Sequence, residues 1–137
     1  MTKKYKELLL KDICCRLSYG VKASTKIEGN IKISSVEYDT IFSEDGDAYD
    51  VSFITLYLFP LSSMSEEQKY EFYCRFIENN CDFDGFKFYL NNDIMRKLLT
   101  SLDDIEGILD WFHKNHIDYR GLIPQGLAIN ATGLNIY

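Results

Sequence analysis

Apolar residues near the start of the chain recur with the period of an α-helix. Between residues 4 and 17 they are spaced three or four apart, at Leu10, Ile13, Cys14 and Leu17, and charged side chains fill the positions between them. Gly20 then ends the pattern, as glycine commonly does after a helix. The pattern predicts a first helix over residues 4–17, with these four apolar side chains as its inward stripe.

The segments that follow change to the period of two that is typical of β-strands. Residues 21–27 alternate apolar and polar side chains, and the alternation restarts at Ile31 with a shift of phase at Ser34-Ser35 that predicts a β-bulge. Residues 49–59 follow an acidic turn, and both faces of their second half are apolar, which favours a central strand. Short turns between the three segments indicate an antiparallel meander.

Helical signals return after Pro60. The run Ser65-Glu66-Glu67-Gln68 has the sequence of a capping box, in which a serine hydroxyl and a glutamine side chain satisfy the first amides of a helix. Two further helices are predicted, over residues 92–100 and from Ser101, and a short strand is predicted near residues 127–129. The order of elements predicts one α+β domain over residues 1–137, with a small antiparallel sheet of three to four strands and helices packed on one face.

Charge narrows the choice of partners. The net charge is −6, and the excess acid lies downstream, because residues 1–40 hold eight basic and five acidic side chains. An acidic surface repels phosphate backbones, which disfavours nucleic acid as a partner. The mildly basic N-terminal third leaves one alternative, a weak nucleic-acid binder that uses the first helix.

The apolar runs and the cysteines bear on the compartment. Leu8-Leu9-Leu10 is too short for a signal peptide or a membrane span, so no membrane contact is expected. The cysteines at positions 14, 15, 74 and 81 include no C-x-x-C pair, which predicts reduced, structural thiols. Together these features predict a cytoplasmic protein.

Two constellations have some of the residues of a metal site. Residues 80–91 have the spacing of a calcium loop, but the last position is Asn91, where calcium loops carry a bidentate glutamate. His113 and His116 are three apart on a predicted helix and Asp118 follows, so a small metal-dependent enzyme using these three residues is an alternative. Helix-end electrostatics and core packing explain the histidines without a metal. Since neither set is a complete ligand pattern, we expect no metal or other cofactor.

The run Asp118-Tyr119-Arg120-Gly121 is the most distinctive in the chain. A tyrosine and an arginine side by side have the composition of a binding hot spot, which makes His116, Asp118, Tyr119 and Arg120 the candidate binding residues. In the other interpretation, Asp118 and Arg120 are polar anchors that fix a turn and bring Leu122 onto the core. We favour the structural interpretation, which predicts that Arg120→Ala destabilises the fold.

Three segments resemble one known family, and they cover about a third of the chain. The main one follows a helix led by Trp111 and reads His116-Ile117-Asp118-Tyr119-Arg120-Gly121-Leu122-Ile123, then Gly126-Leu127-Ala128. Pro60–Glu67 and the opening Leu9–Val21 are similar to other parts of the same family, and the departures are Phe112, His113 and Pro124. The family consists of short uncharacterised proteins of gut bacteria and their phages and mobile elements. The resemblance implies such an origin and assigns no reaction.

The sequence therefore favours binding over catalysis. It contains no nucleophile elbow, phosphate loop or dinucleotide-binding motif, and its many tyrosines and phenylalanines are residue types that suit interfaces. We expect a non-enzymatic accessory protein of a phage or mobile element that acts through contact with a protein partner.

Overall fold

The computed structural model describes residues 1–76 and 105–137. The chain divides into two compact units, one formed by Met1–Pro60 with Phe112–Tyr137 and the other by Leu61–Trp111. The described part contains three α-helices and a mixed, mostly antiparallel sheet, so the predicted α+β class is confirmed. The expectation of a single domain stays a prediction.

The first unit contains one helix and the whole sheet. Helix α1 spans Lys3–Arg16. The strands of the unit are β1 Lys22–Thr25, β2 Gly29–Glu37, β3 Thr40–Ser43, β4 Ala48–Asp50, β5 Ile54–Pro60, β6 Ile117–Asp118 and β7 Ala128–Asn130. The second unit contains helix α2, Glu66–Phe76, and most of helix α3, Ile105–Lys114, whose last turn belongs to the first unit.

The sheet is larger than the sequence predicts. Its strand order is β4-β3-β2-β1-β5-β6, and β7 also pairs with β5, which makes seven strands where three to four were expected. Strands β6 and β7 run parallel to β5, whereas the other pairs are antiparallel. The expectation was wrong because β3 and β6, with four and two residues, are too short to show a clear alternation, and because the predicted strand over residues 49–59 is divided into β4 and β5. Strand β7 lies where the short strand near residues 127–129 was predicted.

Strand β5 has the central position that its two apolar faces predict. It pairs with β1 along one edge and with β6 and β7 along the other. The predicted strand over residues 49–59 is nevertheless two strands, because a 3₁₀ turn at Val51–Phe53 separates β4 from β5. Asp50 begins that turn, and its carboxylate accepts the amide of Ser52 at 2.9 Å.

Two local features follow the sequence closely. The register between β2 and β3 shifts between Ile33 and Ser35, which confirms the predicted bulge. At the start of α2, the Ser65 amide donates to Gln68 Oε1 at 3.0 Å and the Gln68 amide donates to Ser65 Oγ at 3.1 Å. The reciprocal pair confirms the predicted capping box.

The buried stripe of α1 shares only Ile13 with the predicted one. The buried positions are Leu9, Asp12, Ile13 and Arg16, whereas Cys14, assigned to the inward stripe from the sequence, is exposed. The prediction was wrong because it placed every charged residue outside the core. Leu9 and Ile13 do pack in the apolar core of the first unit, with sheet residues that include Val21, Ala23, Ile33, Ile41, Leu56 and Leu58.

The second unit is described by its two helices. Phe72 of α2 meets Trp111 of α3 edge to face, with ring centroids 5.2 Å apart, and the Trp111 indole donates to Glu71 at 3.3 Å. Tyr70 of α2 is more than a third exposed. The predicted helix over 92–100 and the calcium-like loop 80–91 lie outside the described residues.

One cysteine contradicts the prediction of free thiols. Cys14 and Cys15 are free, but Cys74 is disulfide-bonded. Because structural disulfides persist mainly in oxidising compartments, the cysteines no longer favour a reducing one. No helix within residues 1–76 and 105–137 is long and apolar enough to cross a lipid bilayer.

Tyr137 closes a gap between β1 and β5. Its hydroxyl donates to the Tyr57 carbonyl at 2.7 Å and accepts from the Lys22 amide at 3.0 Å. The paired residues end at Ala23 and Leu56, so Lys22 and Tyr57 are the next positions of the same register. The hydroxyl therefore replaces a direct hydrogen bond between the two backbones.

We expect Tyr137→Phe to lower the free energy of unfolding by about 1–3 kcal/mol, because it leaves a backbone amide and a carbonyl without their shared partner. Urea unfolding measures the change. Tyr38→Phe is the matched control, since the Tyr38 side chain is 90% exposed. Equal unfolding midpoints for Tyr137→Phe and the parent would show that the hydroxyl does not hold the two strands together.

Candidate functional site

A buried ion pair lies at the centre of the candidate site. Asp12 and Arg16 are one helical turn apart on α1, and both side chains are fully buried. Arg16 Nε donates to Asp12 Oδ2 at 2.8 Å. The Arg16 guanidinium also reaches the C-terminal part of the first unit, where it donates to the carbonyls of Phe112 at 3.3 Å and Ile117 at 2.8 Å. The pair thus connects α1 to the end of α3 and to β6.

Arg120 is the second arginine on the same carboxylate. Its Nε donates to Asp12 Oδ1 at 3.1 Å, and one-fifth of its side chain is exposed. Its guanidinium carbon lies 4.9 Å from the ring centroid of Tyr119. Asp12 therefore carries one negative charge between two positive charges, and the local group has a net charge of +1.

Tyr119 lies between the two arginines. The guanidinium carbon of Arg16 is 5.7 Å from its ring centroid, and the ring stacks on Phe112 at 5.5 Å. Its hydroxyl forms a hydrogen bond of 2.7 Å with His113 Nε2. Burial raises the pKa of Tyr119, so the phenol is neutral at physiological pH. These contacts fix the ring as a platform for Arg120.

Asp118 has a structural role in this arrangement. Its two carboxylate oxygens accept the amides of Leu122 at 2.8 Å and Ile123 at 2.9 Å. Gly121 lies inside this turn with φ +73, a conformation that glycine adopts without the strain of a Cβ. The turn places Leu122 in the core, as the structural interpretation of the sequence requires. Arg120 anchors the same segment to α1 through Asp12.

His116 is buried against Tyr137. The two rings are stacked with centroids 3.7 Å apart, and the backbone of His116 is left-handed, with φ 56. Its Nδ1 is the one buried side-chain nitrogen or oxygen without a hydrogen-bond partner in the described part of the chain. Burial, reinforced by the charges of Arg16 and Lys22, lowers the pKa of His116 to about 4. The ring is therefore neutral at physiological pH.

The structure does not bring the proposed metal ligands together. His113 bonds with Tyr119, His116 stacks on Tyr137, and Asp118 holds two backbone amides. Within residues 1–76 and 105–137, no group of three histidine, cysteine or acidic side chains could hold a metal ion. The geometry thus gives no support to an enzyme that uses these three side chains on a metal.

The lysines of α1 are also partly engaged. Lys6 Nζ lies 3.9 Å from carboxylate oxygens of both Asp39 and Asp50, and Lys3 Nζ is 3.9 Å from Glu7. Arg16, counted from the sequence as a possible nucleic-acid contact, is fully buried. The accessible positive charge of α1 therefore lacks Arg16 and part of Lys6, whereas Lys3, Lys4 and Lys11 are exposed.

A separate surface feature lies at the tip of the β2–β3 hairpin. Tyr38 has φ 53 and is 90% exposed, which makes it the most exposed large hydrophobic residue in the described chain. It is flanked by the exposed residues Glu37 and Asp39. In the sequence, Tyr38 follows Val36 at the spacing of a strand, so nothing distinguishes it from an inward apolar position.

Asp12 and Arg16 are the site residues that sequence reasoning missed. An acid and a base four residues apart, in phase with Leu9 and Ile13, were the available signal.

Comparisons with protein-family models, with curated proteins and with solved structures found no match.

We expect Asp12→Asn to destabilise the protein more than Arg120→Ala does. The first change leaves two arginines without their shared charge and should cost about 3–5 kcal/mol, the usual loss when a buried pair is broken. The second removes one charged hydrogen bond of a partly exposed side chain and should cost about 1–3 kcal/mol. Urea unfolding of both variants measures the difference, with exposed Lys11→Ala as control. A larger loss for Arg120→Ala would contradict the central position of Asp12.

A second prediction concerns the pH dependence of stability. The pKa of His116 is the ordinary histidine value of 6.5 in the unfolded chain and about 4 in the folded protein. Between pH 4 and pH 6.5 the unfolded state therefore binds a proton that the folded state does not. Its contribution to stability is complete above pH 6.5 and decreases as the pH falls towards 4. Thermal unfolding should show this decrease in the parent and less of it in His116→Asn, because asparagine does not titrate. Asparagine is chosen because it also tolerates a left-handed backbone. Identical pH profiles would contradict the assignment.

Proposed function

We propose that this protein is a non-enzymatic accessory protein that acts by binding another protein. The observation that carries the proposal is Tyr38, an aromatic side chain that is 90% exposed on a left-handed backbone. The resemblance to proteins of gut bacteria and their phages and mobile elements supports the accessory role.

The left-handed backbone of Tyr38 has a conformational cost that glycine or asparagine would reduce. A left-handed conformation costs a residue with a Cβ about 1–2 kcal/mol, and asparagine or glycine would adopt it more easily. The exposed ring offsets little of this cost by burial, because nine-tenths of the residue is accessible. Such strain is typical of functional positions, and tyrosine is enriched among the residues that dominate binding energy.

The buried acidic and histidine side chains of the site are engaged in structural contacts, which also supports binding. Asp12 is shared by two arginines, and Asp118 by two backbone amides. His116 has a pKa of about 4 and is stacked against Tyr137, which leaves it poorly placed for proton transfer near neutral pH. These groups are better explained by their structural contacts than by a reaction.

The proposal is tested by photo-crosslinking next to Tyr38. A benzophenone amino acid replaces the exposed Glu37, so that Tyr38 stays intact, and the protein is irradiated in cells of its own host. We expect a discrete crosslinked protein with Tyr38 present and at least a tenfold loss of this product in the Tyr38→Asn background. The same probe at Leu134, which is 49% exposed, is the matched control and should give no such product.

The stability of Tyr38→Asn separates binding from folding. We expect it to unfold at the same urea concentration as the parent or higher, because asparagine fits a left-handed turn. A product that persists unchanged in Tyr38→Asn, or that appears equally at position 134, would show that the hairpin tip is not the contact surface. A clear loss of stability in this variant would show that the ring serves the fold.

A further inference from the structure

We propose that Arg120 is a binding site for a carboxylate group. This site is separate from the hairpin tip at Tyr38, and the proposal does not depend on that surface. It rests on the position of the Arg120 guanidinium, on the hydrogen-bond donors left over after its internal contacts, and on the local balance of charge.

The Arg120 guanidinium is held in place before any ligand arrives. Asp12 fixes one edge through a hydrogen bond of 3.1 Å from Nε, and the Tyr119 ring supports its plane at 4.9 Å. Tyr119 is itself fixed by stacking on Phe112 and by the bond to His113. Because so little freedom remains, a ligand that binds here loses little free energy to ordering the arginine.

The remaining donors of Arg120 form a suitable fork. A guanidinium carries five N–H groups, and the contact with Asp12 uses the one on Nε. Neither Nη1 nor Nη2 has a hydrogen-bond acceptor among the described residues, and neither is a buried unsatisfied atom. The two nitrogens can thus donate in parallel to the two oxygens of a carboxylate, which matches their planar geometry.

The charges around Arg120 favour an anion. Arg16 uses its own donors on Asp12 and on the carbonyls of Phe112 and Ile117, so its charge is fixed inside the protein. Asp12 balances only one of the two arginines. Among Asp12, Arg16 and Arg120, the excess positive charge is therefore located at Arg120, the partly exposed member, since the nearby Asp118 carboxylate is bound to two backbone amides. A carboxylate bound there completes the balance of charge.

Two sources could supply the carboxylate, an acidic side chain of a protein segment or a small free acid. Nuclear magnetic resonance of the Arg120 Nε–H reports binding of either, with succinate and a blocked peptide of four glutamates as the two probes. Stronger binding of the peptide assigns the site to a protein segment, and stronger binding of succinate assigns it to a small acid. Both outcomes support the carboxylate site.

Charge-matched variants test the bidentate fork. Arg120→Lys keeps the charge but loses the fork, and we expect it to weaken binding at least tenfold; Arg120→Gln should abolish it. Lys114→Gln removes the same charge from an exposed position and should leave binding unchanged. Amide spectra and thermal unfolding establish that each variant is folded at the temperature of the titration.

Three results would overturn the proposal. The first is no shift of the Arg120 Nε–H resonance when either probe is added at millimolar concentration, in 50-fold excess over the protein. The second is equal binding by Arg120→Lys, which would reduce the site to a point charge. The third is a tighter response to inorganic phosphate than to both carboxylates, which would assign the site to phosphate.

Discussion

The buried carboxylate of Asp12 is the interaction on which the C-terminal part of the first unit depends. A carboxylate without exposure to water is costly unless its charge and its lone pairs are satisfied, and Arg16 and Arg120 do this from two directions. Arg16 in turn satisfies two carbonyls in the C-terminal part of the chain. The bonds join residues separated by 96 to 108 positions, so α1 serves as the support on which the last segment is assembled.

The last segment then needs few regular hydrogen bonds of its own. Asp118 shapes the turn that buries Leu122, β7 pairs with the middle of β5, and Tyr137 bridges β1 and β5. Asp118 and Tyr137 thus use polar side chains where a longer strand would use its backbone. This arrangement leaves Arg120 partly exposed against the Tyr119 ring, and the β2–β3 turn leaves Tyr38 exposed on a left-handed backbone.

The sequence predicts the elements whose signals are local. The first helix, the bulge at Ser34-Ser35 and the capping box at Ser65 depend on neighbouring residues, and all three agree with the structure. The buried face of α1 could not be predicted from apolar residues alone, because two of its four positions are an ion pair completed by a residue more than a hundred positions away. The short strands carry too few residues for a period, and the parallel pairing of β6 and β7 with β5 is a property of the tertiary fold. Asp118 and Arg120 were named from their residue types, but only the structure separates the anchored carboxylate from the open guanidinium.

The most direct test of this account is the hydrogen exchange of the Arg16 Nε–H. Side-chain guanidinium protons of exposed arginines exchange rapidly with water at neutral pH, whereas this one is buried and donates to Asp12 at 2.8 Å. The account predicts a sharp resonance at pH 7 that exchanges slowly and that exchanges much faster in Asp12→Asn. Rapid exchange in the parent protein, or slow exchange that is unchanged in Asp12→Asn, would contradict the buried ion pair as the support of the fold.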